Sequence, residues 1–168
     1  MRSPARLPLY TPEQRRRRDE SIWTLVQGVL APLQFIIFLV SLWLVLRFLA
    51  TGNGADAATV SIVIKTLALY AIMITGSIWE KAVFGRYLFA PAFFWEDVVS
   101  MLVLALHTAY LAALGWALLD THGQMLLALA AYAAYVVNAA QFVWKLRAAR
   151  LDAGRGPTTS QTFAGFAS

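Results

Sequence analysis

Polar and apolar positions along this chain alternate on the scale of whole helices. Four apolar runs, 22–49, 57–78, 98–119 and 125–144, are separated by short polar stretches. Each meets the roughly 20 residues that a helix needs to cross the hydrocarbon core of a bilayer. The pattern predicts an all-α integral membrane four-helix bundle. The first run is overlong and carries Pro32, so a tilt or kink is expected there, because proline deletes a backbone donor inside the helix. It is too long for a signal-peptide core and reads as a permanent anchor.

Charge adds an orientation. Arg2, Arg6 and the arginines of 15–18 precede the first run, Lys81 and Arg86 lie between the second and third, and Lys145, Arg147, Arg150 and Arg155 follow the fourth. With four spans all of these fall on one side. The opposite loops, 50–56 and 120–124, hold no Lys or Arg. The positive-inside bias therefore predicts that both termini and the 79–97 segment are cytoplasmic, in a multi-pass membrane protein. Three stretches follow: a basic segment 1–20, a four-span domain 21–151, and a tail 152–168 of Gly, Thr, Ser and Ala that is expected to be disordered. In the basic segment, Thr11, Pro12 and Gln14 predict a capped surface helix. Beside a span, the 15–18 arginines read as an orientation signal or a contact with anionic membrane lipid, and not as a nucleic-acid site.

Composition narrows the chemistry. The 168 residues are 60% hydrophobic and include no cysteine, which excludes disulfides, thiolate metal sites and cysteine-held clusters. No internal repeat and no glycine-rich phosphate loop occurs.

Polar residues inside apolar runs are costly, so their positions inform. Gln27, Gln34 and Ser41 share one helix face, and Ala134, Asn138 and Gln141 share another. Ala105, Ala109 and Ala113 recur every four residues, a pattern that allows close helix approach, and these faces are expected to point inward. Gln27, Ser77, Ser100, Asn138 and Gln141 lie within about two turns of the predicted cytoplasmic ends. Either they bond between helices or they line a cavity open to the cytoplasm. Lys65 is expected to snorkel outward towards Asp56 or Asp120. His107 stands alone near mid-span, as a bonded core histidine, a proton carrier or an axial ligand to a metal that arrives already chelated. One histidine cannot assemble a zinc or di-iron site, and no metal site is predicted. His122 is given no role.

The segment 79–97 is the most unusual. It holds Glu80, Glu96 and Asp97 among seven aromatic residues. The acids can simply pair with Lys81 and Arg86, or suit the start of the third span through its dipole. Together, beside so many rings, they read as the mouth of a site for a flat apolar substrate.

Several blocks carry a resemblance: 9–19 (LYTPEQRRRRD), 23–28 (WTLVQG), 76–81 (GSIWEK), 84–97 (FGRYLFAPAFFWED), 107–110 (HTAY), 138–141 (NAAQ) and 145–150 (KLRAAR). Over about residues 9–151 the chain resembles the 2-vinyl (3-vinyl) bacteriochlorophyllide hydratase family of phototrophic bacteria. The resemblance implies a hydro-lyase that adds water to the 3-vinyl group of a chlorophyllide-type tetrapyrrole, giving a 3-(1-hydroxyethyl) group in bacteriochlorophyll biosynthesis. It implies no cofactor, magnesium entering only as part of the substrate, and makes other pigment-biosynthesis enzymes candidate partners. It carries over no catalytic assignment.

The residues suit that chemistry. A vinyl arm is hydrated by a proton delivered to its terminal carbon and water added at the inner one, and burial against apolar rings favours a carboxyl that keeps its proton. The candidate catalytic residues are Glu80, Glu96, Asp97 and His107, with Glu96 and Glu80 as the expected acid–base pair. Phe93, Phe94 and Trp95, with Phe89, offer surfaces for the ring. Arg86 or Lys81 suits its propionate, and Gln27, Asn138 and Gln141 are further candidate substrate contacts. His107 lies about 16 Å along the helix from Glu96, so one as magnesium ligand and the other as acid are hard to reconcile. A non-catalytic membrane pigment-binding or assembly factor and a small transport subunit remain alternative readings.

Overall fold

The computed structural model describes residues 9–154. Arg2, Arg6, Arg155 and most of the 152–168 tail lie outside them. The described residues form five helices and no strand: α1 (Pro12–Glu20), α2 (Ile22–Thr51), α3 (Ala55–Phe84), α4 (Phe94–Gly115) and α5 (Thr121–Gly154). The last four are long and apolar enough to span a membrane.

Local sequence sets the ends. Thr11 caps α1 reciprocally: Gln14 N–H donates to Thr11 Oγ1 at 3.2 Å, and Thr11 N–H donates to Gln14 Oε1 at 3.0 Å. Pro12 begins the helix, where its missing N–H costs nothing. Ser21 accepts from Trp23 N–H at 3.3 Å and opens α2, which runs through Pro32 as one element.

The span boundaries differ from the expected ones. The second span continues past 78 to Phe84, because nothing in 79–84 breaks a helix before Gly85, whose φ of +83° ends it. The third begins at Phe94 and stops at Gly115, not 98 and 119, since Glu96 and Asp97 in the first turn suit the helix dipole. The fourth runs from Thr121 to Gly154, carried by helix-forming residues beyond 144, so 152–154 are helical. The 79–97 segment is thus helix, a connector of residues 85–93, and helix again.

The spans form two hairpins, α2 with α3 and α4 with α5, which meet through α2–α5 and α3–α4, while α1 lies on α3. The outer faces are apolar, with Leu25, Val29, Ile36, Trp43, Leu67 and Val143 exposed. This pattern suits lipid, into which no charged face can turn. Phe38, Val45, Ile62, Leu69, Val103, Tyr110 and Tyr132 fill the centre. A second knot, of Tyr10, Trp79, Phe84, Phe93 and Phe142, closes the end that carries the connector. Trp79 Nε1 ties it to α2 by donating to Thr24 Oγ1 at 2.9 Å.

Two inward faces are as expected: Gln34 and Ser41 are buried on α2, as is Asn138 on α5. The α4 alanine stripe faces inward only at Ala113. The buried residues of α4 are Glu96, Asp97, Ser100, Val103, His107, Tyr110 and Ala113. Ala105 and Ala109 stand two residues either side of His107, about 200° around the helix, and are exposed.

Candidate active site

The connector is held by the acids at either end of it. Glu80, in the last turns of α3, accepts Ala90 N–H on Oε1 at 2.8 Å. Asp97, in the first turn of α4, accepts Phe89 N–H on Oδ2 at 2.7 Å. Adjacent backbone donors thus converge on two neighbouring carboxyl groups. Two buried carboxyls so close favour keeping a proton over ionising together, since like charges repel in a poorly solvated site. Both acids are buried, with 3% and 7% of their surfaces exposed. Phe89 pays for this arrangement in backbone strain, at φ +59°, a left-handed conformation unusual for a bulky residue.

Glu96 takes another partner. One residue from Asp97, it points about 100° away around α4, towards α5. There Lys145 Nζ donates to Glu96 Oε2 at 2.5 Å and also to the carbonyl of Ala92. The expected Glu80–Glu96 pair is therefore corrected: Glu80 pairs with Asp97, and Glu96 with Lys145. The acids do not pair with Lys81 or Arg86, whose hydrogen bonds go to the carbonyls of Gly85 (2.9 Å) and Phe89 (3.4 Å).

The aromatics divide into two sets. Phe93 is buried in the knot, 5.7 Å from Trp79 and 5.9 Å from Phe142 between ring centroids, and so offers no free face. This corrects its expected role against a substrate ring. Phe89, Phe94 and Trp95 are exposed in a row, with centroids 5.7 and 5.5 Å apart.

The amides sit deeper in the bundle. Gln27 Nε2 donates to Thr75 Oγ1 at 2.7 Å, and Asn138 Nδ2 to Ser100 Oγ at 2.8 Å. Asn138 Oδ1 and Gln141 Oε1 are buried without a partner among the described residues. A groove lies on the outer wall of the α3–α4 seam, away from the connector end. It is about 320 Å³ and lined by Tyr70, Met73, Ile74, Leu104 and Thr108.

A separate polar cluster occupies the middle of the bundle. His107 is fully buried, donates from Nδ1 to Val103 O at 2.8 Å, and lies 5.9 Å from the Tyr132 ring. It is about 15 Å along α4 from Asp97, and the structure does not bring it to the acids. Lys65 does not snorkel. It is fully buried, its Nζ 3.8 Å from the centre of the Tyr135 ring, because it lies on the inward face of α3 between Ile62 and Leu69. Sequence reasoning missed Lys145 as a site residue. The signal was the inward stripe Tyr132, Tyr135, Asn138, Gln141 and Lys145, at helical spacing.

A four-span membrane protein with a buried carboxyl pair beside exposed aromatic rings is suited to proton transfer to an apolar molecule. The family profile described as 2-vinyl bacteriochlorophyllide hydratase (BCHF) matches residues 10–148. The chain belongs to that family. It is 69% identical over 147 residues to the 2-vinyl bacteriochlorophyllide hydratase of Cereibacter sphaeroides, covering 86% of this chain and 89% of the relative. It is 67% identical over 151 residues to the protein of the same name from Rhodobacter capsulatus, covering 90% and 88%. No solved structure matches.

Proposed function

We propose that this protein is a hydro-lyase that adds water to the vinyl group of a bacteriochlorophyllide-type tetrapyrrole. The carrying observation is that the buried Glu80 and Asp97 hold the adjacent backbone N–H groups of Ala90 and Phe89, in a chain of the hydratase family. The pair holds one proton and delivers it to the terminal vinyl carbon. The cation so formed is spread into the conjugated ring. Water bonds to the inner carbon, and its proton returns to the pair, which ends as it began. Glu96, committed to Lys145, anchors the connector through Ala92. The reaction is redox-neutral, so it requires no electron carrier, and magnesium enters with the substrate.

The exposed Phe89, Phe94 and Trp95 give the ring a surface, and Arg86 or Lys81 meets its propionate. The arginines of 15–18, Lys81, Arg86, Lys145, Arg147 and Arg150 gather at the connector end, which supports placing that end and both termini in the cytoplasm. Membranes containing the protein, supplied with 3-vinyl bacteriochlorophyllide in heavy-oxygen water, are expected to yield a labelled 1-hydroxyethyl product by mass spectrometry. Unaltered bound pigment would indicate a carrier.

A further inference from the structure

Two cross-links join α4 to α5 beside the acid pair: Asn138 Nδ2 to Ser100 Oγ at 2.8 Å, and Lys145 Nζ to Glu96 Oε2 at 2.5 Å. They bracket one short stretch of each helix. On α4 that stretch contains Asp97, on the same face as Ser100; on α5 it contains Gln141, on the same face as Asn138 and Lys145. Gln141 is thus set at the level of Asp97. Here lie two of the buried oxygens without a partner among the described residues, Asn138 Oδ1 and Gln141 Oε1, one helical turn apart. Both only accept hydrogen bonds. Buried polar atoms are ordinarily satisfied, and two such acceptors beside a carboxyl suit a donor with two hydrogens.

We propose that Asn138 and Gln141 seat the water that the reaction consumes. The inference rests on the hydratase reading above. The seated water gives one O–H to the amide oxygens and the other to Asp97, so that a lone pair of its oxygen is free for the substrate. As the C–O bond forms at the inner vinyl carbon, the O–H bond facing Asp97 breaks. That proton replaces the one the pair gave to the terminal carbon. Asn138 and Gln141 are positioning residues, acting through the water.

The test uses the full chain in membranes, with 3-vinyl bacteriochlorophyllide and heavy-oxygen water. Gln141→Met and Asn138→Leu keep side-chain bulk and remove the acceptor. Each is expected to lower kcat about tenfold or more with KM for the pigment little changed. Gln141→Glu, which keeps an acceptor oxygen, is expected to recover rate relative to Gln141→Met. A helix-packing role would produce no such recovery. Gln141→Ala is read by the same criteria in place of a variant that fails to reach the membrane. Unchanged kcat overturns the water seat, and so does a raised KM at full kcat, which would make these residues substrate contacts. No label in the wild-type product overturns the hydratase reading and this inference with it. Labelled wild-type product with unimpaired variants overturns the seat alone.

Discussion

Glu80 and Asp97 face each other across the α3–α4 junction while each holds a backbone N–H of the connector between them, Ala90 at 2.8 Å and Phe89 at 2.7 Å. Helix ends alone would not fix this connector, since Gly85 releases the chain and Pro91 cannot donate. The carboxyls give its donors a destination, and the connector in turn covers the carboxyls. The same contacts thus build the loop and remove the acids from water.

Glu80→Gln and Asp97→Asn each keep an oxygen for the backbone donor but break the shared proton. Each variant is expected to reach the membrane and to lose hydration by roughly 100-fold or more, the usual scale of a lost general acid or base. Glu96→Gln, outside that pair, is expected to lose much less. Label incorporation at saturating pigment separates the three. Full activity in both Glu80→Gln and Asp97→Asn would remove the pair from the chemistry.

Lys145 joins α5 to α4 through Glu96 and to the connector through Ala92. Lys145→Met leaves the buried Glu96 without its cation. A destabilisation of about 1–3 kcal/mol is expected, below that of a sealed pair because the lysine is 26% exposed. Adding Glu96→Gln should restore part of the loss, a non-additivity that a double-mutant cycle in detergent unfolding measures. Additive losses would mean that the two residues act independently.

Span number and the acidic–aromatic segment were legible in the sequence, because each rests on composition over many residues. The residues 79–84 and 94–97 fell outside the expected spans because their polar and aromatic side chains end the apolar runs, although Glu and Lys are good helix formers. Which acid meets which was not legible. Glu96 and Asp97 are adjacent in sequence, and only the rotation of α4 sends one to Lys145 and the other to Glu80. Lys65 was misplaced for a similar reason. Its depth allowed snorkelling, but its face, shared with Ile62 and Leu69, turns it inward.

Phe93 and Trp95 lie two residues apart and separate packing from binding. Phe93 is 3% exposed within the knot, and Phe93→Ala is expected to cost about 3–5 kcal/mol of stability through the cavity it leaves. Trp95 is 68% exposed, and Trp95→Ala should leave stability near wild type. If the ring lies on the exposed row, Trp95→Ala raises KM for the pigment with kcat retained. Thermal unfolding in detergent and steady-state kinetics give the two readouts. A stability loss at Trp95 equal to that at Phe93 would contradict the division.

Lys65 is fully buried over the Tyr135 ring, and its Nζ finds no hydrogen-bond partner among the described residues. Removing an unsatisfied polar group while keeping its stem is often neutral or stabilising. Met matches that stem and places a thioether against the same ring. Lys65→Met is therefore expected to hold or raise the midpoint of thermal unfolding and to retain hydratase turnover, since Lys65 is about 22 Å along α3 from Glu80. Lys65→Glu places another charge in the same apolar centre and is expected to prevent stable accumulation in the membrane. A well-folded Lys65→Met protein without turnover would mean that the mid-bundle cluster takes part in the reaction, and that the carboxyl pair does not account for it alone.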